Sequence, residues 1–370
     1  MDKVLVKEES VQVSAGMSAE TSGGAPARSP WLWALLLMVT CSVVMALLPA
    51  TRAWCVEVWS HAESFGGSLL SLFPVKLQPM VAKGATVFLS PWLYLLMAVV
   101  FLAEKVIPAD RQQRVFSVGM IQDFVGWFVL GGMVRVVLVG AMVAGLYWFC
   151  NRFLSGIRID AVAAWPIVIV SLLAVLAGDL LNWFHHYIRH KIEVFWLFHT
   201  IHHSQEQMNM FTDLRVHIVE YAIAKPITIL PLFVLGLDVQ LAFWLTLVLE
   251  SYTRIYHSNL RTNYGPLRYL LVTPQSHRIH HSALPQHMDK NFAVIFSFWD
   301  RLFGTQWTNY DEYPPTGIGD TGFPHERSVA GLRIVTNYIW QMIYPFKVIW
   351  SRVRGRHEAV TPLEPREELR

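Results

Sequence analysis

The sequence predicts an all-α fold, a polytopic integral membrane helical bundle with about four spans, a re-entrant hairpin and a histidine-rich cap. Apolar residues make up 54% of the 370 residues and charged residues only 15%, against roughly 25% charged in a typical soluble protein. Several apolar segments are long enough to cross a bilayer as helices. Twelve of the 15 histidines lie between His185 and His287. Composition therefore indicates a membrane protein, and the histidines indicate where its chemistry lies.

Charge and cysteine content exclude several other classes of protein. The chain has 30 basic and 27 acidic residues, a net charge of +3, which is too near balance to indicate a nucleic-acid partner. The three cysteines (Cys41, Cys55 and Cys150) show no CxxC spacing. The sequence therefore predicts neither a disulfide framework nor a zinc ribbon.

The first half of the chain contains the predicted spans. Residues 1–30 are polar and predict a disordered tail. The four apolar segments that follow are each about as long as a hydrocarbon core of about 30 Å requires, and they are Trp31–Thr51, Gly84–Ala103, Phe124–Asn151 and Ala161–Gly178, the last continuing to Phe184. Arg135 is the one charge in the third segment. It is expected either to pair with a carboxylate or lipid headgroup, or to mark a kink between two shorter helices.

Two later segments are apolar but do not predict further spans. Tyr221–Leu249 is interrupted by Lys225, Pro226, Pro231, Gly236 and Asp238. Its charge-free pieces, Pro226–Leu237 and Val239–Leu249, are each too short to cross a bilayer. A hairpin that enters the membrane and returns is the better prediction. Gly331–Trp350 mixes aromatic and basic residues, which is typical of an amphipathic helix at the membrane surface.

Three histidine clusters have the spacing of one helical face. His186 and His190 are four residues apart, and two HxxHH motifs begin at His199 and His277. Imidazole suits zinc, copper, iron and nickel. Eight histidines exceed what one tetrahedral zinc site uses, so the pattern predicts two adjacent metal ions. The alternative is that these histidines are packed or solvated and bind no metal. A hydrolytic zinc centre is the other rival, but HExxH, the usual motif that places a glutamate base between two ligands, is absent.

These runs resemble the fatty acid hydroxylase/sterol desaturase superfamily of membrane di-iron enzymes. The resemblance covers about residues 124–308, with a 31–123 N-terminal transmembrane region before it and a 309–370 amphipathic segment and charged tail after it. The matching runs are Asp179–His190, Phe195–Ser204, Arg215–Glu220, His257–Asn259, Thr273–His281, Asp289–Phe292 and Trp299–Thr305.

The resemblance implies two iron ions that activate O2 to attack an unactivated C–H bond of a lipid, by hydroxylation or desaturation. Zinc is expected to substitute in purified protein, because affinity order favours zinc over ferrous iron. The implied metal ligands are His186, His190, His199, His202, His203, His257, His277, His280 and His281.

Three further residues are predicted to act beside the metal. Asp179 lies two helical turns before His186 and is expected to accept a hydrogen bond from a ligand imidazole, the alternative being a carboxylate that reaches interfacial water. His217 is expected either as a ligand or beside one. Glu220, one turn from His217, has the same two alternatives as Asp179.

The sequence departs from the family pattern at three positions, and one of them is His185, an extra histidine beside the first box. Ala293 stands where glycine often follows Asn-Phe. Thr253, four residues before His257, is not the histidine found in some fatty acyl hydroxylases. The substrate is expected to be a sterol-like ring or a fatty acyl chain, with a preference for a sterol because Thr253 and His257-Ser258-Asn259 look more like that branch.

All boxes must lie on one side of the membrane to reach one centre. Basic residues favour the cytoplasmic side, in an inner or cell membrane if the source is bacterial, as favoured, or in the endoplasmic reticulum if it is eukaryotic. The chain shows no nucleotide fingerprint and no CxxC run. A separate electron donor is therefore implied, either cytochrome b5-like or a ferredoxin with its reductase. Its expected docking residues are Arg261, Arg268, Arg278 and Arg301.

A different class of function stays open at this stage. The alternative is a membrane protein that binds metal without oxidation, such as a transporter or a structural metal protein. A transporter is expected to have its ligands within its spans. The clusters here follow the ends of apolar runs, which favours the enzyme.

Overall fold

The computed structural model describes residues 91–126, 145–159, 162, 164–237, 239–320, 322–326 and 333–355. These residues are helical or irregular, with isolated β-bridges such as Leu271 to Phe296, so the all-α prediction is confirmed for them. The helices used below are α1 (Pro91–Val106), α2 (Val118–Val125), α3 (Ile167–Lys191), α4 (Glu193–His203), α5 (Ile218–Val234), α6 (Val239–His257), α7 (Pro274–His280), α8 (Phe298–Leu302) and α9 (Arg333–Val353).

Several predicted features lie outside the described residues. They are the tail 1–30, the span Trp31–Thr51, most of the segment Phe124–Asn151 with Arg135, and the charged end of the chain after residue 355. The predicted span Gly84–Ala103 is described only from residue 91, where it forms α1.

Helix α3 is, among the described residues, the one helix long and apolar enough to cross a membrane. It begins after Pro166 and extends beyond the apolar segment to Lys191, so the first histidine box forms its last turns. Val168 and Leu172 are exposed, at 74% and 52%, whereas Ala174 on another side is 1% exposed. One side of α3 therefore faces outward and another packs inside the protein.

The inward side of α3 packs along α5. A Cβ added to Gly178 would lie 3.4 Å from the Thr228 carbonyl oxygen, so the small residue permits a close approach of the two backbones. Asn182 Oδ1 accepts a hydrogen bond from the Thr228 hydroxyl at 3.2 Å, one turn further along α3. The packed pair of helices ends beside the histidine boxes.

Helices α5 and α6 form a helical hairpin in the region where a re-entrant segment is predicted. Pro226 and Pro231, two of the residues that interrupt the apolar segment, do not end the helix, because α5 continues through both. Packing against α3 maintains the helix although each proline removes a backbone hydrogen-bond donor. The chain reverses instead after Leu235, where Gly236 has a φ of +72°, a conformation that glycine adopts without strain.

Helix α9 covers α4 on the side away from α3. Tyr344 and Val348 of α9 lie in one buried cluster with Leu197 and Ile201 of α4. The other side of α9 is exposed, including Trp340 at 60%. The predicted amphipathic helix is therefore present, shifted by two or three residues at each end, and its buried side supports the second histidine box.

Candidate metal centre

All nine histidines predicted as ligands come together in two adjacent groups. In each group the candidate ligand atoms lie within 4.8 Å of one another. His190 is partly exposed and the other eight are buried. The five-histidine group contains His186, His190, His199, His203 and His280, and the four-histidine group contains His202, His257, His277 and His281.

Each HxxHH motif contributes to both groups. In the second box, the i and i+4 residues His199 and His203 belong to the five-histidine group and the i+3 residue His202 to the four-histidine group. The third box has the opposite distribution, since His277 and His281 belong to the four-histidine group and His280 to the five. The rings of His203 and His281 stack with their centroids 4.3 Å apart where the two groups meet.

Four helices position these side chains. Helix α3 provides His186 and His190, α4 provides the second box, and His257 is the last residue of α6. The third box lies on α7 and its C-cap, a short helix that starts with a capping box between Thr273 and Ser276 and has Pro274 in its first turn. Both features favour helix initiation at that residue and so fix the register of the box.

Ring nitrogens in the four-histidine group point at one another. The Nε2 of His257 lies 3.2 Å from that of His202 and 2.8 Å from that of His277. The Nε2 of His281 lies 3.1 Å from that of His277. Nitrogens that bind one ion at about 2.1 Å must lie about 3 Å apart, so these separations fit a shared metal ion.

The five-histidine group has buried nitrogens with no protein partner. The Nε2 atoms of His186, His190 and His280 are buried and have no hydrogen bond among the described residues. The Nε2 atoms of His199 and His203 are 3.2 Å apart. Buried polar atoms are rarely left without a partner, and a metal ion bound among them would satisfy the three lone pairs.

Backbone carbonyls hold the other nitrogen of several ligands. The Nδ1 atoms of His186 and His280 lie 2.7 and 2.8 Å from the carbonyl oxygens of Phe292 and Lys290. The Nδ1 of His257 lies 2.7 Å from the Thr253 carbonyl oxygen. A carbonyl only accepts, so each of these Nδ1 atoms carries the proton and each Nε2 keeps its lone pair for a metal.

Burial keeps the histidines of the second and third boxes neutral. It is the main cause that lowers the pKa of His202, His203 and His277 well below the ordinary value of 6.5, and neighbouring histidines lower the pKa further. Burial also lowers the pKa of His280, to about 4. Neutral imidazole is the form that binds metal, so the donor set is ready for a cation at physiological pH.

Glu220 lies where it can orient a ligand. Its Oε1 accepts a hydrogen bond from the Nδ1 of His199 at 3.0 Å and pairs with the guanidinium of Arg189. Of the two alternatives predicted for Glu220, the structure shows a buried carboxylate bonded to His199. Arg189, whose Nη1 also lies 3.4 Å from that histidine nitrogen, was not singled out in the sequence, although it lies one residue before His190.

Asp179 and His217 contact other partners than those predicted. The carboxylate of Asp179 is buried and accepts hydrogen bonds from the backbone of Ile295 and Phe296, at 2.9 and 2.8 Å, and from the Trp299 indole. Its expected bond to an imidazole is absent, because the chain after the third box lies between the carboxylate and the ligands. The carboxylate instead fixes that segment, and it does not reach interfacial water.

His217 lies outside both histidine groups. Its Nε2 donates to the Met342 carbonyl at 2.9 Å, and its Nδ1 accepts from the backbone of Val219 at 3.0 Å as the N-cap of α5. Both nitrogens are occupied, so the residue starts α5 and ties it to α9 instead of acting at the metal.

Asp300 is a supporting residue that spacing alone did not identify. Its carboxylate accepts hydrogen bonds from the backbone of Phe292 and Ala293, at 2.8 and 2.9 Å, and from the Trp183 indole at 2.9 Å. The Phe292 carbonyl in turn holds His186. Asp300 lies in the run Trp299–Thr305, which resembles the family pattern, and that resemblance was the only sequence feature that pointed to this residue.

One of the four basic residues predicted for docking is buried. Arg278 is 4% exposed, and its Nε donates to the Pro314 carbonyl at 2.8 Å. Its inclusion in the predicted docking set is therefore wrong, since the guanidinium is needed inside the fold. Arg261 is exposed, and Arg268 and Arg301 are partly exposed.

Comparison with known proteins identifies the segment that contains the site. Residues 171–305 match the family model for fatty acid hydroxylase, which confirms the resemblance and includes all nine ligand candidates. The chain is 33% identical to alkylglycerol monooxygenase of Danio rerio over 142 residues, covering 36% of the chain and 29% of that protein. It is 26% identical to ornithine lipid hydroxylase OlsE of Rhizobium tropici over 196 residues, covering 53% and 54%.

A third relative gives the same picture. Alkylglycerol monooxygenase of Caenorhabditis elegans is 31% identical over 178 residues, covering 48% of the chain and 34% of that protein. The chain thus spans less than two thirds of each of these relatives. No solved structure matches the chain.

Proposed function

We propose that this chain, whose residues 171–305 resemble fatty acid hydroxylases throughout, is a membrane oxidoreductase that uses O2 and external electrons to oxidise a C–H bond of a lipid. The observation that supports this most directly is the pair of buried histidine groups inside that segment. Hydroxylation is favoured over desaturation, since the relatives are named as monooxygenases and a hydroxylase.

The two histidine groups would each hold one iron ion. Iron so bound supplies the activation of O2, because no side chain provides an oxidant strong enough for an alkane-like C–H bond. Zinc suits the same donors and is favoured by affinity order, so zinc in a purified sample would not decide the physiological metal.

The protein's own part is to orient these donors and to exclude water. Phe292 is fully buried, and its ring contacts His186, His190 and His280 at centroid distances of 5.7, 5.1 and 5.7 Å. Tyr256 covers the other group, with its ring 4.5 Å from that of His277. Exclusion of water protects a reactive site from side reactions.

We further propose that the chain is polytopic and that α3 crosses the membrane with the boxes at its cytoplasmic end. Support comes from the exposed apolar residues of α3 and from Arg189 and Lys191 in its last turn, since basic residues mark the cytoplasmic side. The hairpin of α5 and α6 then returns the chain to that side. An inner or cell membrane is the proposed location.

The substrate is proposed to be a lipid with a polar headgroup and an alkyl or acyl chain. The relatives' names include alkylglycerol and ornithine lipid, and neither is a sterol, so the preference for a sterol has no support from these relatives.

A separate electron donor is proposed to approach Arg261, Arg268 and Arg301. The domain limits 31–123, 124–308 and 309–370 stay proposals.

Lipid mass spectrometry tests this function. Membranes containing the protein are incubated with 18O2 and a reductant, and lipids gaining one 18O atom are sought. His202→Ala and His280→Ala should abolish the product, whereas His287→Gln, outside both groups, should retain it. A product that loses two hydrogens instead indicates desaturation. Bound metal without any oxidised lipid would favour the non-oxidative alternative.

A further inference from the structure

A buried ion network lies next to the histidine groups, on the side of α2 and α9. Arg215 is 1% exposed, and its Nε lies 2.6 Å from Asp123 Oδ1 and its Nη2 lies 2.9 Å from Glu326 Oε1. Breaking a buried ion pair by removing one partner leaves an uncompensated charge. The three side chains are therefore held in one arrangement.

Arg215 links this network to a ligand histidine. Its carbonyl oxygen lies 3.3 Å from the Nδ1 of His202, within hydrogen-bond distance. Its guanidinium donates to the hydroxyl of Ser204 at 2.9 Å, and the other oxygen of Asp123 accepts from Gln205 at 2.7 Å. The backbone of Arg215 thus holds the imidazole of His202, its side chain holds Ser204, and its partner Asp123 holds Gln205, so the network fixes both residues that follow the second box.

Both carboxylates come from outside the segment that matches the family model. Asp123 is on α2, and Glu326 precedes α9 in the C-terminal part of the chain. Gln341 of α9 donates to Glu326 at 3.2 Å and accepts from Gln122 of α2 at 2.7 Å. The segments before and after the matched region therefore meet at Arg215.

The packing there leaves no room for a larger residue. A Cβ added to Gly119 of α2 would lie 2.5 Å from the side chain of Gln205 and 2.7 Å from that of Glu326. Helix α2 therefore approaches the second box as closely as its backbone allows.

The geometry points to Asp123 and Glu326 as positioning residues for the four-histidine group, acting on His202 through Arg215. This inference rests on one part of the proposed function, namely that the histidine groups bind metal. It does not depend on the oxidation of a lipid. The five-histidine group has different supports, Glu220 and the carbonyls of Phe292 and Lys290. Loss of either carboxylate should therefore weaken metal binding in one group and leave the other intact.

Cobalt binding tests this assignment without turnover. The purified full chain is stripped of metal and titrated with Co²⁺, whose visible absorption reports each site. Asp123→Asn and Glu326→Gln should lower the affinity of one site about 10- to 100-fold, the usual effect of losing an outer hydrogen-bond partner of a ligand. Asp320→Asn is the matched control, since Asp320 is also buried and bonds Tyr344 of α9 but not Arg215.

Combining Asp123→Asn with a second substitution in either histidine group shows which of the two sites is weakened. His280→Ala removes a ligand of the five-histidine group, and His277→Ala one of the four-histidine group. The effect of Asp123→Asn should persist in the first background and vanish in the second. If the Asp123→Asn protein does not fold, the Co²⁺ titration of Glu326→Gln in the same two backgrounds tests the proposal.

Equal weakening of both sites, or no weakening, overturns the positioning role. Absence of Co²⁺ binding in the unmodified chain overturns it together with the metal centre. Two normal Co²⁺ sites with no oxidised lipid overturn only the proposed function.

Discussion

The five-histidine group and the four-histidine group are both built from imidazole side chains, but different residues orient those side chains in the two groups. In the first, His199 is oriented by the carboxylate of Glu220, and His186 by a loop that Asp300 fixes. In the second, His257 uses a carbonyl of its own helix, and His202 uses that of Arg215. All of these supports lie within residues 171–305, but Arg215 is itself paired with Asp123 and Glu326, which lie outside that segment. Two similar histidine groups can therefore depend on different parts of one chain.

Removing one ligand from each group is the strongest test of this comparison. His280→Ala and His277→Ala should each abolish lipid oxidation and lower the bound metal from about two ions to about one per chain, because a catalytic site needs its full donor set. Metal analysis of the purified protein measures this.

The control for those variants is His287→Gln, which changes a buried histidine bonded to Ser282 and outside both groups. Two ions per chain in either alanine variant would show that the groups are not separate sites.

Glu220→Gln tests the carboxylate support of the five-histidine group alone. An amide cannot balance the charge of Arg189 or hold His199 as strongly, so we expect about 10- to 100-fold weaker metal binding in that group. The four-histidine group should be unchanged, as Co²⁺ titration in the His277→Ala and His280→Ala backgrounds would show.

Glu312→Gln is the matched control, because Glu312 lies 3.0 Å from His287 and neither residue belongs to either histidine group. An equal loss in the two groups after Glu220→Gln would contradict the division of supports described above.

Asp300→Asn tests the indirect support by the loop. The carboxylate accepts from the backbone of Phe292 and Ala293 and from Trp183, and an amide with one acceptor oxygen leaves a buried donor unpaired at a cost of about 1–3 kcal/mol. We expect a lower melting temperature and a smaller loss of metal affinity in the five-histidine group than Glu220→Gln causes. An unchanged melting temperature would show that the loop has other, sufficient anchors.

The smallest expected effect is that of pH on metal occupancy. Protons compete with metal only near or below the pKa of each imidazole, and burial lowers the pKa of His280 to about 4 and that of His277 well below 6.5. Co²⁺ occupancy should therefore stay constant between about pH 8 and pH 6. Occupancy should fall only as the pH approaches the lowered pKa values. Half-loss near pH 6.5 would indicate exposed histidines.

The sequence predicted which histidines assemble but not how they divide. At about 100° per residue, positions i and i+4 of a helix lie about 40° apart, and position i+3 lies about 60° to the other side. Spacing alone assigns all three to one face. Only the packing of α4 against α7 shows that this face is wide enough to serve two groups.

The partners of Asp179 and His217 could not be predicted from spacing for a related reason. Helical spacing places Asp179 on the side of His186, but the loop 292–299 occupies the space between that carboxylate and the imidazoles. His217 is engaged by Met342 of α9, a contact across 125 residues of chain. Neither long-range contact is visible in the local sequence pattern. For Glu220, whose partner His199 is 21 residues away, one of the two predicted alternatives, a position beside a histidine of the boxes, matches the structure.

The position of the first box along α3 has a consequence for regiochemistry. His186 is 19 residues after Ile167, the first residue of α3, which at about 1.5 Å per residue is a rise of about 28 Å. That rise is nearly the full hydrocarbon thickness of about 30 Å. In the proposed topology the reacting centre thus lies at the depth of the headgroup boundary. A lipid that remains in the leaflet presents to that depth the carbons adjoining its headgroup, whereas the methyl end of its chain lies near the bilayer midplane.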